Sequence, residues 1–242
     1  MNRTLATARR VATQLRHDPR SLALLLAVPS LLMALFKYVF DGEPAVFDRI
    51  GPQFLGIFPF ILMFLLTSVT MVRERTSGTL ERLFTTPLGR GELIAGYALA
   101  LGAAALLQAA VTTAVAVWVL DLELTAPGIA LVIAMLNALL GTTLGLLTSA
   151  FATTEFQAVQ FMPLIVIPQI LLCGLLIPRE NMADMLTWIS HALPLSYTSE
   201  AFEHLAGVSG WDGELWAYTA ALTGFVLFGV VGASLTLRRV TP

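Results

Sequence analysis

Six stretches of this chain are each long and apolar enough to cross a lipid bilayer as a helix. They run over Ser21–Phe40, Pro52–Val72, Leu93–Leu120, Ala126–Ser149, Phe156–Ile177 and Leu215–Leu237. A helix needs roughly 20 apolar residues to span about 30 Å of hydrocarbon. Apart from Lys37, near the end of the first run, none of the six contains Asp, Glu, Lys or Arg. One such side chain at a helix centre costs roughly 2.5–3.5 kcal/mol on insertion. Only 12% of the 242 residues are charged, against about 25% in soluble domains. A soluble fold of this size has too little interior to hide the remainder. The expected fold class is an all-α integral membrane protein with six transmembrane helices. Residues 1–242 then read as a single membrane domain, with no length left for a separate globular module.

The basic residues orient the spans. Of 14 lysines and arginines, only Lys37, Arg49 and Arg179 fall on one side when the spans alternate. The positive-inside rule makes the other, crowded side cytoplasmic, and puts both termini there. The net charge of −2 implies no bulk attraction to nucleic acid. Cys173, the lone cysteine, has no internal disulfide partner.

Ahead of the first span, Leu5, Ala8, Val11, Ala12 and Leu15 recur at helical spacing among arginines. Residues 1–20 are therefore expected to form an amphipathic helix in the cytoplasmic interface, against membrane lipids. The alternative is a plain basic anchor. A cleaved signal peptide fits poorly, because the apolar run is too long and no small-x-small site follows it. Between the last two spans, residues 178–213 are too polar to cross, yet keep apolar residues at helical spacing. Two short external re-entrant helices, broken at Pro194, are expected there. Pro163 and Pro168 should kink the fifth span.

The segment from Arg73 to Glu92 carries the most information. Gly78 redirects the chain after the second span. Leu80, Leu83 and Phe84 then share one helical face, Glu81 and Arg82 point elsewhere, and Pro87, followed by Leu88, stops the helix. A short helix with an apolar edge suits docking into a groove on another protein; an ordinary capped loop is the competing reading. The chain has no Gly-Lys-Ser/Thr phosphate loop, and Lys37 is its only lysine. Any ATP hydrolysis would have to occur on another chain.

Other patterns carry less. Gly141-Thr142-Thr143-Leu144-Gly145 is a GxxxG that lets another helix approach closely, more commonly within a subunit than between subunits. Gln108, Asn137, Gln160 and Gln169 are polar groups inside spans; they either line a substrate path or bond helix to helix. Glu200, Glu203 and His204 resemble a metal-ligand turn, but a solvated helix face explains them better. Gly207-Val208-Ser209-Gly210 spells a protease-like G-x-S-G, but no histidine base follows His204. No intramembrane Asp, Glu or His is present to couple transport to protons, which weighs against a secondary transporter. A membrane scaffold with no transport role is a further alternative.

The Arg73–Glu92 segment resembles the signature of the ABC-2 family of permeases, R-E-R-x-x-G-T-L-E-R-L followed by T-P-L-x-R-x-E-L. Phe151–Ala158 is similar to that family's second cytoplasmic turn. Leu193–Phe202 is similar to its late external N-P-L-x-Y segment, with Leu193 in place of asparagine. The resemblance implies the membrane subunit of an ATP-driven exporter of amphipathic, drug-like or lipid-like molecules in a bacterial inner membrane. It implies two partners, an ABC-type ATPase subunit and a second permease subunit, identical or paralogous. It also implies that Arg73, Glu74, Gly78, Leu80, Glu81, Leu83, Phe84, Pro87 and Leu88 contact the ATPase. ATP and magnesium would then bind the partner, with no catalytic residue, metal or cofactor on this chain.

Overall fold

The computed structural model describes residues 3–77 and 89–236. Among these residues every regular element is helical. The long elements are α1 (Arg3–Arg16), α2 (Pro19–Val39), α3 (Pro44–Thr76), α4 (Arg90–Trp118), α5 (Pro127–Ser149), α6 (Glu155–Leu172) and α9 (Gly213–Thr236). Two shorter helices, α7 (Asp184–Ser190) and α8 (Pro194–Gly207), lie between α6 and α9. Six of the helices, α2 to α6 and α9, are long and apolar enough to cross a membrane among the described residues. The chain is a multi-pass membrane protein.

The spans alternate in direction. The end of the bundle that carries α1 gathers the starts of α2, α4 and α6 and the finishes of α3, α5 and α9. At the opposite end, Lys37 donates to the Leu120 carbonyl, the Glu123 amide donates to Asp48 at 3.4 Å, and Thr125 donates to the Ala206 carbonyl at 3.2 Å. Helices α3, α4 and α5 form the centre, more than half buried along their most apolar stretches, while in α2, α6 and α9 less than a quarter of the corresponding residues are buried. A bilayer supplies the solvent for those outer faces.

Small residues let the centre close. A Cβ added at Gly141 of α5 would sit 2.3 Å from the Phe60 carbonyl oxygen of α3, and one at Gly145 would sit 2.6 Å from that of Phe64. The GxxxG therefore packs within the subunit, backbone against backbone. On the other side of α5, Gly229 of α9 lies against Thr143 and Gly232 against Leu147.

Boundaries differ from the sequence expectation in two places. Helix α3 starts at Pro44 and runs through Pro52 and Pro59 for 33 residues, roughly 50 Å at 1.5 Å per residue. Helix α6 stops at Leu172, before Ile177. Gly174 takes a positive φ of 95°, which turns the chain out of helix there. Pro194 sits in the first turn of α8, where its missing N–H costs nothing. Much of α8 is buried, with Leu195, Ala201, Phe202 and Leu205 inside the bundle.

Helix α1 packs along the first half of α4. A Cβ at Gly96 would come within 2.6 Å of Thr7, so the two backbones nearly touch. Thr7 and Val11 form the buried stripe, with Ala8 and Leu15 partly buried beside them. Leu5 stays exposed. Its face points away from α4, so the apolar positions read from the sequence divide between two sides of the helix.

Candidate functional site: the junction below the third helix

The last turn of α3 holds three consecutive charged residues, Arg73, Glu74 and Arg75. Successive side chains on a helix point about 100° apart, so neighbours along the chain must find partners on different elements. Arg73 grips Glu155, at the start of α6, with two bonds: Nε to Oε1 at 2.9 Å and Nη2 to Oε2 at 3.0 Å. This fork-to-fork geometry is what a guanidinium offers a carboxylate. Glu74 turns inward, only 5% exposed, and its Oε2 lies 3.5 Å from Nη1 of Arg10 on α1. Arg75 reaches the end of α5 and donates to the carbonyls of Ser149, Ala150 at 3.4 Å and Ala152 at 2.7 Å. These carbonyls lie at or just past the end of α5, where the helix supplies few donors; that of Ser149 also accepts from the Ala152 amide at 3.3 Å, and a cation is favoured at that end of the helix dipole.

Arg10 extends the junction to α4. It donates to the hydroxyl of the fully buried Tyr97, and its guanidinium carbon lies 5.7 Å from the centre of that ring. Arg3 approaches Glu92 at 4.0 Å, and Glu92 in turn accepts from the Gly89 amide at 2.9 Å. Helices α1, α4, α5 and α6 are thus all tied to the last turn of α3, directly or through one residue. Ser77 follows it, and the chain then enters the segment expected to dock. Gly78, Leu80, Glu81, Leu83, Phe84, Pro87 and Leu88 lie outside the described residues. Sequence reasoning singled out Arg73 and Glu74 but missed their partners Glu155 and Arg10, Tyr97 behind Arg10, and the carbonyls that Arg75 holds. Arg10, Arg75 and Glu155 showed only as charges outside the expected spans, and nothing in the sequence marked Tyr97.

The four span polar residues do not share one space. Gln108 donates to the Leu25 carbonyl of α2 at 3.0 Å. Asn137 donates to its own helix at Ile133 and accepts from Thr198 of α8 at 2.7 Å. Gln169 is buried and donates to Ile165 at 3.2 Å, and Gln160 is exposed on α6. Opposite the junction, Glu200 pairs with Arg179, which also reaches Ser190 at 2.9 Å and His191 at 2.7 Å. His204 sits between Asp212 at 2.6 Å and Glu214 at 3.2 Å. The Leu215 amide and His204 together hold the Asp212 carboxyl below its usual range. Ser209 is exposed in the turn between α8 and α9.

A six-span helical membrane domain with polar networks at its two ends defines a class of membrane proteins, not a reaction. The family model described as ABC-2 type transporter matches residues 2–205, and the chain belongs to that family. It is 26% identical over 196 residues to "ABC transporter G family member 20" of Dictyostelium discoideum, across 79% of this chain. It is 30% identical over 145 residues to "Probable multidrug ABC transporter permease YbhR" of Escherichia coli (strain K12), across 57% of this chain. The matches span 27% and 39% of the length of those two relatives.

Proposed function

We propose that this chain is the membrane subunit of an ATP-driven exporter, with hydrolysis carried out by a separate ABC-type ATPase. The observation that carries this reading is the junction at Arg73–Arg75. It ties the end of α3 to three other helices directly beside the 78–88 segment, so movement of that segment would reach the whole bundle. In this reading residues 73–92 are the coupling segment, 1–20 an interfacial helix and 178–213 an external segment. The arginine distribution supports cytoplasmic termini in a bacterial inner membrane. The broad apolar faces of α2 and α6 leave room for a second permease subunit. The name of the Escherichia coli relative supports a drug-like, amphipathic cargo for efflux. Gln160, the exposed member of the four span residues, is the one best placed to meet such a cargo.

The test is to purify the chain together with the ATPase encoded beside it, and to repeat this with Leu83→Asp plus Phe84→Asp. The double variant should lose the ATPase, or lose transport-coupled hydrolysis. Undiminished assembly and coupling would overturn the assignment of the docking segment.

A further inference from the structure

A partly open cleft of about 580 Å³ lies between α1, α2 and α3 at the junction end, with Leu101 of α4 at its back. At the opposite end of the bundle α2 and α3 are clasped by aromatic rings: Phe36 lies 4.3 Å from Phe54 and 6.2 Å from Phe47, centre to centre. Toward the junction the cleft separates the two helices. Leu62, Leu65, Leu66 and Val69 share one face of α3 there and are only half-buried, although α3 belongs to the centre of the bundle. Leu24 and Val28 of α2 face them, and Leu24 is 63% exposed, so the cleft opens on the lipid side of α2.

The polar end carries no net sign. Its charged residues are Asp18, Arg73 and Glu74, and each is already answered. Arg73 holds Glu155, and Glu74 lies 3.5 Å from Arg10. Asp18 caps the start of α2, accepting from the Ser21 amide at 3.2 Å and the Ser21 hydroxyl at 2.6 Å, with Arg20 two positions on. A charged group entering the cleft would lose its water and gain no counter-charge. Selection therefore falls to the aliphatic walls. They extend along α3 from Leu62 to Ser77, about 22 Å at 1.5 Å per residue. Half of a 30 Å hydrocarbon core is about 15 Å deep, so the cleft is long enough to follow one leaflet to its surface. Water finds no partners along such walls, and an unfilled space would forfeit their packing contacts.

We propose that this cleft holds one acyl chain of a phospholipid from the adjacent leaflet, with the headgroup left outside in the interface beside α1. The chain lies between α2 and α3 and keeps them apart just above the Arg73 turn. Because the polar end is balanced, the site recognises the chain and is indifferent to the headgroup. The proposal goes beyond the export reading and does not rest on it, since its test needs neither an ATPase nor transport.

The full-length chain, extracted from membranes of known phosphatidylethanolamine and phosphatidylglycerol content and washed free of loose lipid, should retain a phospholipid in native mass spectrometry. The headgroups of the retained lipid should match those of the source membrane within about threefold. Val28→Trp and Val69→Trp each fill the cleft from one wall and should lower retention about tenfold. Leu227→Trp, on the 60% exposed position of α9, should not change it. Thermal unfolding of each variant checks that it is folded, and Val28→Trp on the outer helix keeps the test available if Val69→Trp does not fold. No retained lipid, equal retention by both filled variants, or about tenfold enrichment of one headgroup would each overturn the proposal. Filled variants that keep their lipid but lose self-association would overturn it too, and would give the cleft to a second copy of the chain. A failure here leaves the Leu83/Phe84 test of the export reading untouched.

Discussion

Arg73 and Arg75 stand two positions apart, yet their removal should differ in kind. Arg75 covers three carbonyls where Ser149 and Ala152 are buried. The Ser149 carbonyl would keep the Ala152 amide, but leaving the buried Ala152 carbonyl without its Arg75 donor costs about 1–3 kcal/mol. Arg75→Ala should therefore lower the thermal unfolding midpoint of the purified chain by several degrees. The Arg73–Glu155 pair is largely exposed, and such pairs contribute about 0–1 kcal/mol. Arg73→Ala should leave the midpoint nearly unchanged and instead reduce transport-coupled hydrolysis in the assembled exporter. In the sequence both arginines count equally toward orientation. Their separate roles come from partners more than seventy positions away, brought close only by helix packing, and no local pattern encodes that.

Among the helices, Gly141 of α5 and Gly224 of α9 divide in the same way. Gly141 and Gly224 look alike in the sequence, each inside an apolar run. A Cβ at Gly141 would strike the Phe60 carbonyl oxygen, a backbone atom that cannot move aside, whereas a Cβ at Gly224 would meet nothing within 4 Å. Gly141→Ala should push α3 and α5 apart and cost about 1–3 kcal/mol. Gly224→Ala should stay within about 0.5 kcal/mol of the parent. Denaturation of the two variants side by side in detergent reads the difference. The GxxxG spelling announced a close approach but not that α3 would be the partner. Spans were legible because hydrocarbon demands continuous apolar helix. The early end of α6 was not, because it depends on the φ of Gly174 inside an otherwise apolar stretch.

For the whole molecule, the alternation of six spans sets α1 and the end of α8 at opposite ends of the bundle. With the arginines at the α1 end facing the cytoplasm, an alkaline phosphatase fused after Gly207 should be active, and one fused after Arg16 inactive. Inactivity after Gly207 would reverse the orientation. The fold class and span number were legible before any coordinates, because both follow from the bilayer acting as solvent. The junction was legible only as a motif. Its geometry needed the tertiary structure.

The three-way spread of Arg73, Glu74 and Arg75 also constrains the length of the chain. An alanine inserted between Arg73 and Glu74 deletes no side chain and favours helix, yet it turns everything on one side of it by about 100° relative to the other. Glu155 and the α5 carbonyls could not then both be reached. Such an insertion should damage the protein more than exchanging any one of the three residues. At this turn the spacing of the three residues constrains the chain more than the identity of any one of them.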